Sequence, residues 1–266
     1  MSPITTVGDA AWTDWSGEPP RAGLAATLES GDVLFFPNLA FAVDRAGRPL
    51  FSLPIVTTAK NISFDPRSGR VGGIARAGLQ ATALRDLVSR FSRVAATFVG
   101  EVLPDYRDRI EIGRTSFRPI EIAGRPSSWR KDDTRLHIDS FPATPVHGRR
   151  ILRVFSNVNP YGKARTWRIG EPFEHVARRF AGRLRMPWPG SGTLRHLLRL
   201  TKAHRSAYDA LMLQLHDRMK ADTEYQAGAP QTRFEFPPGS TWMAFTDQVT
   251  HAAMTMARTR VVGTDR

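Results

Sequence analysis

The sequence predicts a mainly β fold with helical insertions, in the form of an antiparallel sandwich or barrel. Short segments rich in β-branched and aromatic residues recur along the chain, and Gly, Pro, Asn or Asp separates them. Two longer segments instead repeat apolar residues every three or four positions, as amphipathic helices do. A chain of 266 residues with 41% hydrophobic content is sufficient for one domain with a substantial core. We therefore expect a single domain over residues 1–266.

The first predicted strand lies in GDVLFFPNLAFAV, residues 31–43, where aromatic and β-branched residues precede a turn. Further strands are predicted in the middle of the chain and near its C-terminal end, in segments that share β-type composition and flanking turn residues. These segments are RIEIGRTSFRPIEIAG, TRLHIDSF, RRILRVFSNVN, ARTWRIGEPFEHV and TWMAF.

Two segments are predicted to be helical. Apolar residues at three- and four-residue steps predict an amphipathic helix over residues 82–100, with Thr82 as N-cap and Gly100 at its end. Between residues 193 and 220, a Leu and Met stripe predicts one long basic helix or two joined helices. We interpret this second region as part of a helical insertion at about residues 171–230 of the β framework.

The chain is strongly basic, with a formal net charge of +13. Most of that charge lies in residues 149–220, which hold 16 basic and 4 acidic residues. Such a segment favours an anionic partner. The charge alone does not distinguish between nucleic acid, an acidic membrane surface, and a substrate that bears carboxylates or phosphates. A solvated basic face is the alternative that needs no partner.

Three further properties limit the class of protein. The chain has no cysteine, which excludes disulfides and thiolate metal sites and suits a reducing compartment. Its N-terminal residues lack the pattern of a signal peptide, and no apolar run is long enough to span a bilayer.

A histidine and an aspartate one residue apart, His137 and Asp139, predict a metal site. Residues at i and i+2 on a strand point to the same face, so this pair can direct an imidazole and a carboxylate at one point. His251, after TWMAF, is the candidate that completes the set. Two histidines and one carboxylate leave three coordination positions open, as non-haem Fe(II) oxygenases require, whereas Zn(II) would fit but offers no redox chemistry. A structural, hydrogen-bonded role for each histidine is the alternative.

The other five histidines are less suitable as metal ligands. We interpret His147 as a turn residue. The remaining four lie in helical, charged surroundings where solvent exposure is the simpler interpretation: His175, His196, His204 and His216.

Two blocks of the chain resemble the Kdo hydroxylases. The first runs from RLHIDSFPATPVHGRRILRVFSN to EPFEHVARRF, and the second is FPPGSTWMAFTDQVTHAAM. The resemblance extends over about residues 31–254. It implies a Fe(II)- and 2-oxoglutarate-dependent dioxygenase, an oxidoreductase that uses O2 to hydroxylate the 3-deoxy-octulosonate (Kdo) sugar of the lipopolysaccharide inner core. It also implies a double-stranded β-helix, the cupin-like jelly roll.

The resemblance assigns roles to particular residues. By this similarity His137, Asp139 and His251 match the iron ligands. Four further positions match those that the family uses to hold 2-oxoglutarate: Arg118, Arg153, Arg165 and Trp167. An arginine fork suits the distal carboxylate of such a co-substrate, because it can donate two parallel hydrogen bonds.

The resemblance also gives the basic segment a partner. A Kdo-lipid A acceptor carries carboxylates and phosphates at an anionic membrane surface, and nearby Lys and Arg residues are attracted to that surface. The expected location is therefore cytoplasmic, peripheral on the inner face of the inner membrane. No nucleic acid is expected as a partner.

Two other functions remain open at this stage. A catalytically inactive, cupin-like saccharide-binding protein would explain the same resemblance, and the final segment TMARTRVVGTDR does not resemble the closing strand of the family. Arg258 and Arg260 in that segment are weak candidates for co-substrate binding. A basic nucleic-acid-binding protein is disfavoured, because no known motif is present and aromatic residues do not alternate with the basic ones.

Overall fold

The computed structural model describes residues 3–8, 23–45, 47–51, 62–74, 79–118, 128–199, 201 and 203–254. In chain order the strands are β1 (Ile4–Thr6), β2 (Val33–Phe36), β3 (Ile62–Asp65), β4 (Arg70–Gly72), β5 (Thr115–Phe117), β6 (Leu152–Ser156), β7 (Arg165–Pro172), β8 (Thr232–Phe236), β9 (Thr241–Phe245) and β10 (Val249–Ala253). The helices are α1 (Leu24–Glu29), α2 (Leu79–Val102), α3 (Phe173–Ala181), α4 (Ser191–Leu197), α5 (Ala207–Ala221) and α6 (Thr223–Gly228). The final segment, with Arg258 and Arg260, lies outside the described residues.

The described strands form three sheets, ordered β1-β2-β9-β6, β10-β7-β8 and β4-β3-β5. All neighbours within them are antiparallel except β1 and β2, which pair in parallel. The predicted fold class is thus confirmed in part: antiparallel sheets are present, but the architecture is a mixed α/β fold rather than a mainly β one. The helix α2 alone contributes 24 residues.

An aromatic cluster joins the first sheet to the second. Trp242 of β9 stacks on Phe236 of β8 with ring centroids 4.0 Å apart, and on Phe155 of β6 at 5.2 Å. Trp167 of β7 packs edge-on against both Phe155 and Trp242. Because aromatic pairs are stabilised beyond the area that they bury, this cluster holds the two sheets at a fixed separation.

The helix predicted over residues 82–100 is present and is longer than expected. It begins at Leu79 and ends at Val102, so Gly100 lies inside it. Arg107 donates hydrogen bonds to the Gly100 carbonyl, which supports the last turn of α2 beyond the glycine. The apolar face of α2 packs on the first sheet, where Phe98 contacts Phe36 of β2 at 5.2 Å between centroids.

Four helices, α3 to α6, lie between β7 and β8, in the region where a helical insertion is predicted. The stripe predicted between residues 193 and 220 forms two separate helices, α4 and α5. Phe180 of α3 packs edge-on against Tyr225 of α6. The helices α3, α5 and α6 pack with the segment that leads into Asp139, since their apolar residues form one cluster with Leu136 and Ile138.

Asp209 fastens α5 to the loop that follows Asp139. It closes a capping box with Ser206 at the start of α5, and its Oδ1 accepts hydrogen bonds from the backbone N–H groups of Val146 and His147. Burial alone would raise the pKa of Asp209, but hydrogen bonds from Ser206, Val146 and His147 hold it below its usual value of 3.8. The ionised carboxylate therefore stabilises both the helix start and the loop.

We expect Asp209→Asn to lower the free energy of unfolding by about 1–3 kcal/mol at pH 7, because charge-assisted hydrogen bonds are lost. The folded-state pKa is depressed, so the stabilisation is complete above the unfolded-state pKa and is lost as the pH falls through the folded-state value. Urea unfolding should thus show a difference at pH 7 that narrows below about pH 4. Asp105→Asn, at an exposed carboxylate, is the control and should change stability little. An undiminished difference at low pH would contradict this role of the charge.

Candidate metal centre

The backbone brings His137 and His251 side by side. They form an antiparallel β-bridge, with the N–H of each donating to the carbonyl of the other at 3.0 and 2.9 Å. His251 lies in β10, but the strand predicted over TRLHIDSF is wrong: in this segment only the bridge at His137 is β structure. The next contact runs from the Asp139 N–H to the Thr246 carbonyl, outside β10, so the ladder does not continue.

His137, Asp139 and His251 converge on one point. Each offers a ligand atom, and the three atoms lie within 4.8 Å of one another. His137 Nε2 is 3.9 Å from Asp139 Oδ1, and the two imidazole centroids are 4.7 Å apart. Among the described residues, this is the one group of three or more histidine, aspartate or glutamate side chains close enough to hold a metal ion.

Backbone carbonyls orient both imidazoles. His137 Nδ1 lies 2.7 Å from the Arg135 carbonyl, and His251 Nδ1 lies 2.8 Å from the Val249 carbonyl. A carbonyl can only accept, so each Nδ1 carries the proton and each Nε2 keeps its lone pair. In proteins, a hydrogen bond from one ring nitrogen of a metal-binding histidine commonly fixes the tautomer and leaves the other nitrogen to bind the metal.

The charge state of the three groups also suits a cation. Burial lowers the pKa of His137 well below 6.5, with the charges of His251 and Lys220 acting in the same direction. Burial likewise lowers the pKa of His251. For Asp139 burial acts upward, but the Arg153 guanidinium and the two imidazoles outweigh it and hold the carboxyl pKa far below 3.8. At neutral pH the site therefore presents two neutral imidazoles and one carboxylate, the forms that bind metals.

Asp139 has one buried oxygen without a hydrogen bond. Arg153 Nε lies 2.9 Å from Asp139 Oδ2 as an ion pair, but Oδ2 receives no hydrogen bond in the described part of the chain. Arg153 is the cation that meets this buried oxygen, while the other oxygen, Oδ1, lies 3.9 Å from His137 Nε2 and adds an anionic donor to the two imidazole nitrogens. The residues present thus fit a divalent metal ion, with His137, Asp139 and His251 as its ligands.

A cavity of about 530 Å³ opens beside the three groups. The cavity is bordered by five basic side chains, by two acidic ones and by a wall of aromatic residues, so it suits an anionic ligand. The residues predicted to bind the metal or the co-substrate all line it: Arg118, His137, Asp139, Arg153, Arg165, Trp167 and His251. The remaining basic residues of the lining are Lys131 and Lys163.

The model of the 3-deoxy-D-manno-oct-2-ulosonic acid (Kdo) hydroxylase family matches residues 11–259. The chain belongs to the Kdo hydroxylase family. Solved structures agree: the apo form of the Kdo hydroxylase KdoO, a non-heme Fe(II) alphaketoglutarate dependent dioxygenase, is 45% identical, with a TM-score of 0.88 over 95% of this chain and 85% of that one. Its cobalt(II) complex is 44% identical, with a TM-score of 0.89 over 96% and 86% of the two chains. Its complex with alphaketoglutarate and Fe(III) is 45% identical, with a TM-score of 0.87 over 95% and 85%. Among curated proteins, none matches the sequence significantly.

In this Kdo hydroxylase, the prediction that His216 is solvent-exposed is wrong. Only 9% of His216 is exposed, and its ring packs edge-on against His137 with centroids 5.5 Å apart. Its Nδ1 lies 2.9 Å from Asp217 Oδ1, which fixes the ring. The pattern contained a signal: His216 lies four residues after Met212 and three before Met219, on the apolar stripe of α5. His175, His196 and His204 are exposed, as expected.

Lys220 is a second buried polar residue near the centre that the sequence did not reveal. Only 2% of it is exposed; its Nζ donates to the Arg130 carbonyl at 3.1 Å and lies 3.8 Å from Asp133 Oδ1. The other oxygen of Asp133 accepts from Arg118 at 3.3 Å. Asp133 therefore joins a predicted co-substrate arginine to the buried end of α5.

Trp167 has a contact that the sequence could not specify. Its indole stacks on the His251 imidazole, with centroids 5.0 Å apart and planes 22° from parallel, and only 2% of it is exposed. Trp167 thus restrains the orientation of His251 while it also lines the cavity.

None of the helices among the described residues combines the length and the apolar character that a membrane span requires.

Proposed function

We propose that His137, Asp139 and His251 hold Fe(II), and that the chain uses it with 2-oxoglutarate and O2 to hydroxylate the Kdo sugar of the lipopolysaccharide inner core. The single observation that supports this most is the convergence of two neutral imidazoles and an ionised carboxylate on one side of a basic cavity. That ligand set would leave coordination positions of the iron open for 2-oxoglutarate and dioxygen. When bound, the iron would supply the redox chemistry by which O2, the oxidant, converts 2-oxoglutarate to succinate and CO2 and hydroxylates the C–H bond of the sugar.

The protein's part in this reaction is to bind, orient and exclude water. Arg153, already against Asp139, is placed to meet an anionic group next to the metal. Arg118 and Arg165 border the same cavity and offer donors for the carboxylates of 2-oxoglutarate or of the sugar. Trp167 closes the wall behind His251 with an apolar surface. This division of roles is supported by the lining of the cavity, and the binding of alphaketoglutarate and Fe(III) by the similar protein KdoO supports the choice of ligands.

We further propose Kdo-lipid A as the acceptor, met at an anionic membrane surface on the cytoplasmic face of the inner membrane. The excess of basic residues between 149 and 220 supports this location, since each nearby Lys or Arg contributes about 1 kcal/mol of attraction. The two sheets joined by the aromatic cluster, β1-β2-β9-β6 and β10-β7-β8, support a double-stranded β-helix within a single domain over residues 1–266. The helices α3 to α6 then form its basic insertion at about residues 171–230.

The function is tested by measuring succinate release and hydroxylated product from the purified chain with Kdo-lipid A, Fe(II) and 2-oxoglutarate. We expect product formation that requires all three and that stops when iron is chelated. Saccharide binding without turnover under these conditions would instead show an inactive, cupin-like binding protein.

A further inference from the structure

Four large apolar side chains are exposed within a short stretch of the helical insertion. In the described residues Trp188 is 84% exposed, Leu197 76% and Met186 69%. Leu198, next to Leu197, is 59% exposed. Single exposed apolar residues are ordinary, but four such residues between positions 186 and 198 favour contact of this segment with a partner. We name Met186, Trp188, Leu197 and Leu198 the apolar patch.

The backbone holds Trp188 out into solvent. It stands between Pro187 and Pro189, and the ring of the second proline restricts Trp188 to extended conformations. The turn after it is closed by a hydrogen bond from the Ser191 N–H to the Trp188 carbonyl, at the start of α4. The seven residues of α4 span about 10 Å, so Leu197 follows within one short helix. The patch is therefore a built feature of the α3–α5 region.

The positive charge around the apolar patch indicates what kind of partner it contacts. Residues 178–205 contain eight Lys and Arg residues and no Asp or Glu. The exposed Arg185 and Arg199 lie directly beside Met186 and Leu198 in the chain. Tryptophan and leucine side chains among arginines are the composition of segments that lie in the interface of an anionic bilayer, the tryptophan at the level of the headgroups. A nucleic acid would be met by the arginines but would leave Leu197 and Leu198 in water.

Contacts connect this region to a loop that lines the cavity. His147 Nε2 lies 2.5 Å from the His204 carbonyl, and Arg205 donates to the Pro142 carbonyl. Both contacts reach the loop that follows Asp139, whose Phe141 lines the cavity and is itself 36% exposed. A protein held at a membrane through α4 would therefore have this cavity-lining loop bound to the segment between α4 and α5.

We propose that the apolar patch inserts into the interface of an anionic phospholipid bilayer, with the neighbouring arginines bound to lipid phosphates. This inference rests on the proposed function and deepens it, because it names the element by which the enzyme meets a lipid-borne acceptor. The insertion is shallow and reversible, and both apolar contact and charge contribute to it.

The test is binding of the purified full-length chain to vesicles of phosphatidylglycerol and phosphatidylcholine, by flotation. We expect the triple variant W188S, L197S and L198S to bind at least about tenfold more weakly than the parent chain. The double variant R185Q and R199Q should lose about fivefold per charge, and only with vesicles that contain phosphatidylglycerol. Ile112→Ser, at an apolar residue that is 45% exposed elsewhere, is the matched control and should bind as the parent does.

Two readouts separate this inference from the proposed function. The triple variant should hydroxylate detergent-dispersed Kdo-lipid A at the parent rate but lose activity on the same acceptor in vesicles. Equal vesicle binding by the parent and the triple variant would overturn the inference and leave the proposed function intact. A shift of the triple variant to a smaller species in sedimentation velocity would also overturn it, since the patch would then join copies of the chain. If the parent chain binds vesicles but never hydroxylates the acceptor, the result would support membrane insertion of the patch and contradict the proposed function.

Discussion

Asp139→Ala should lose metal binding and hydroxylation together. The carboxylate is the one anionic ligand of the three, and an oxygen of it is buried without a hydrogen bond. Changing groups that merely orient a ligand costs about 10- to 100-fold in affinity or activity, so removing the ligand itself should cost more than about a hundredfold. Thermal unfolding with Fe(II) or Co(II) provides the measurement. The parent chain should gain about 2.7 kcal/mol of stability at a metal concentration of about 100 times Kd, and the variant should gain none.

Asp132→Ala is the matched control for that experiment. Asp132 lies near the site in the chain, where its Oδ1 accepts hydrogen bonds from Thr134 rather than facing the two imidazoles. We expect this variant to keep the metal-induced stabilisation, whatever its own effect on folding. Metal stabilisation of Asp139→Ala equal to that of the parent would show that the ion is held elsewhere.

Arg153→Ala should weaken co-substrate binding by on the order of a hundredfold. The guanidinium lies against Asp139 at 2.9 Å and lines the cavity, and removing a cation from such a site leaves the facing anions without a partner. The effect should fall on the KM for 2-oxoglutarate and on kcat/KM, while the affinity for Co(II) changes by less. Arg153→Lys keeps the charge but not the planar fork, so it should restore only part of the affinity.

Arg149→Ala is the control at a neighbouring arginine. Its side chain is 59% exposed and pairs with Glu111 at the surface, where ion pairs contribute little. It should leave the KM for 2-oxoglutarate unchanged. An equal rise in KM for both variants would mean that the overall positive charge, and not the position of Arg153, attracts the co-substrate.

Local patterns in the sequence predicted which residues form the centre better than they predicted the backbone structure around it. The spacing of His137 and Asp139 predicted a shared face, and the strand TWMAF is β9 with the expected bounds. The predicted strand around His137 reduces to a single bridge because Asp139 pairs with Thr246 beyond β10, a contact between residues far apart in the chain. Such a pairing depends on tertiary structure, which local composition does not encode.

His216 and Lys220 show the same limit for helices. His216 is predicted to be exposed, yet α5 turns it and Lys220 toward the centre, where they are 9% and 2% exposed. The helical period placed them on the apolar stripe, but only the packing of α5 against the segment of Arg130 and Asp133 shows why a lysine is accommodated there. A buried polar residue on an apolar helix face is thus a reason to look for a nearby site.

The proposed function depends most directly on one iron ion held by His137, Asp139 and His251 together with a chelating 2-oxoglutarate. Anaerobic titration of the purified chain with Fe(II) and 2-oxoglutarate tests this, because the chelate has a weak visible charge-transfer band. We predict that the band grows to saturation at one equivalent of iron in the parent chain and is absent in His251→Ala. A band of undiminished intensity in that variant, or none in the parent chain, would contradict the proposed centre.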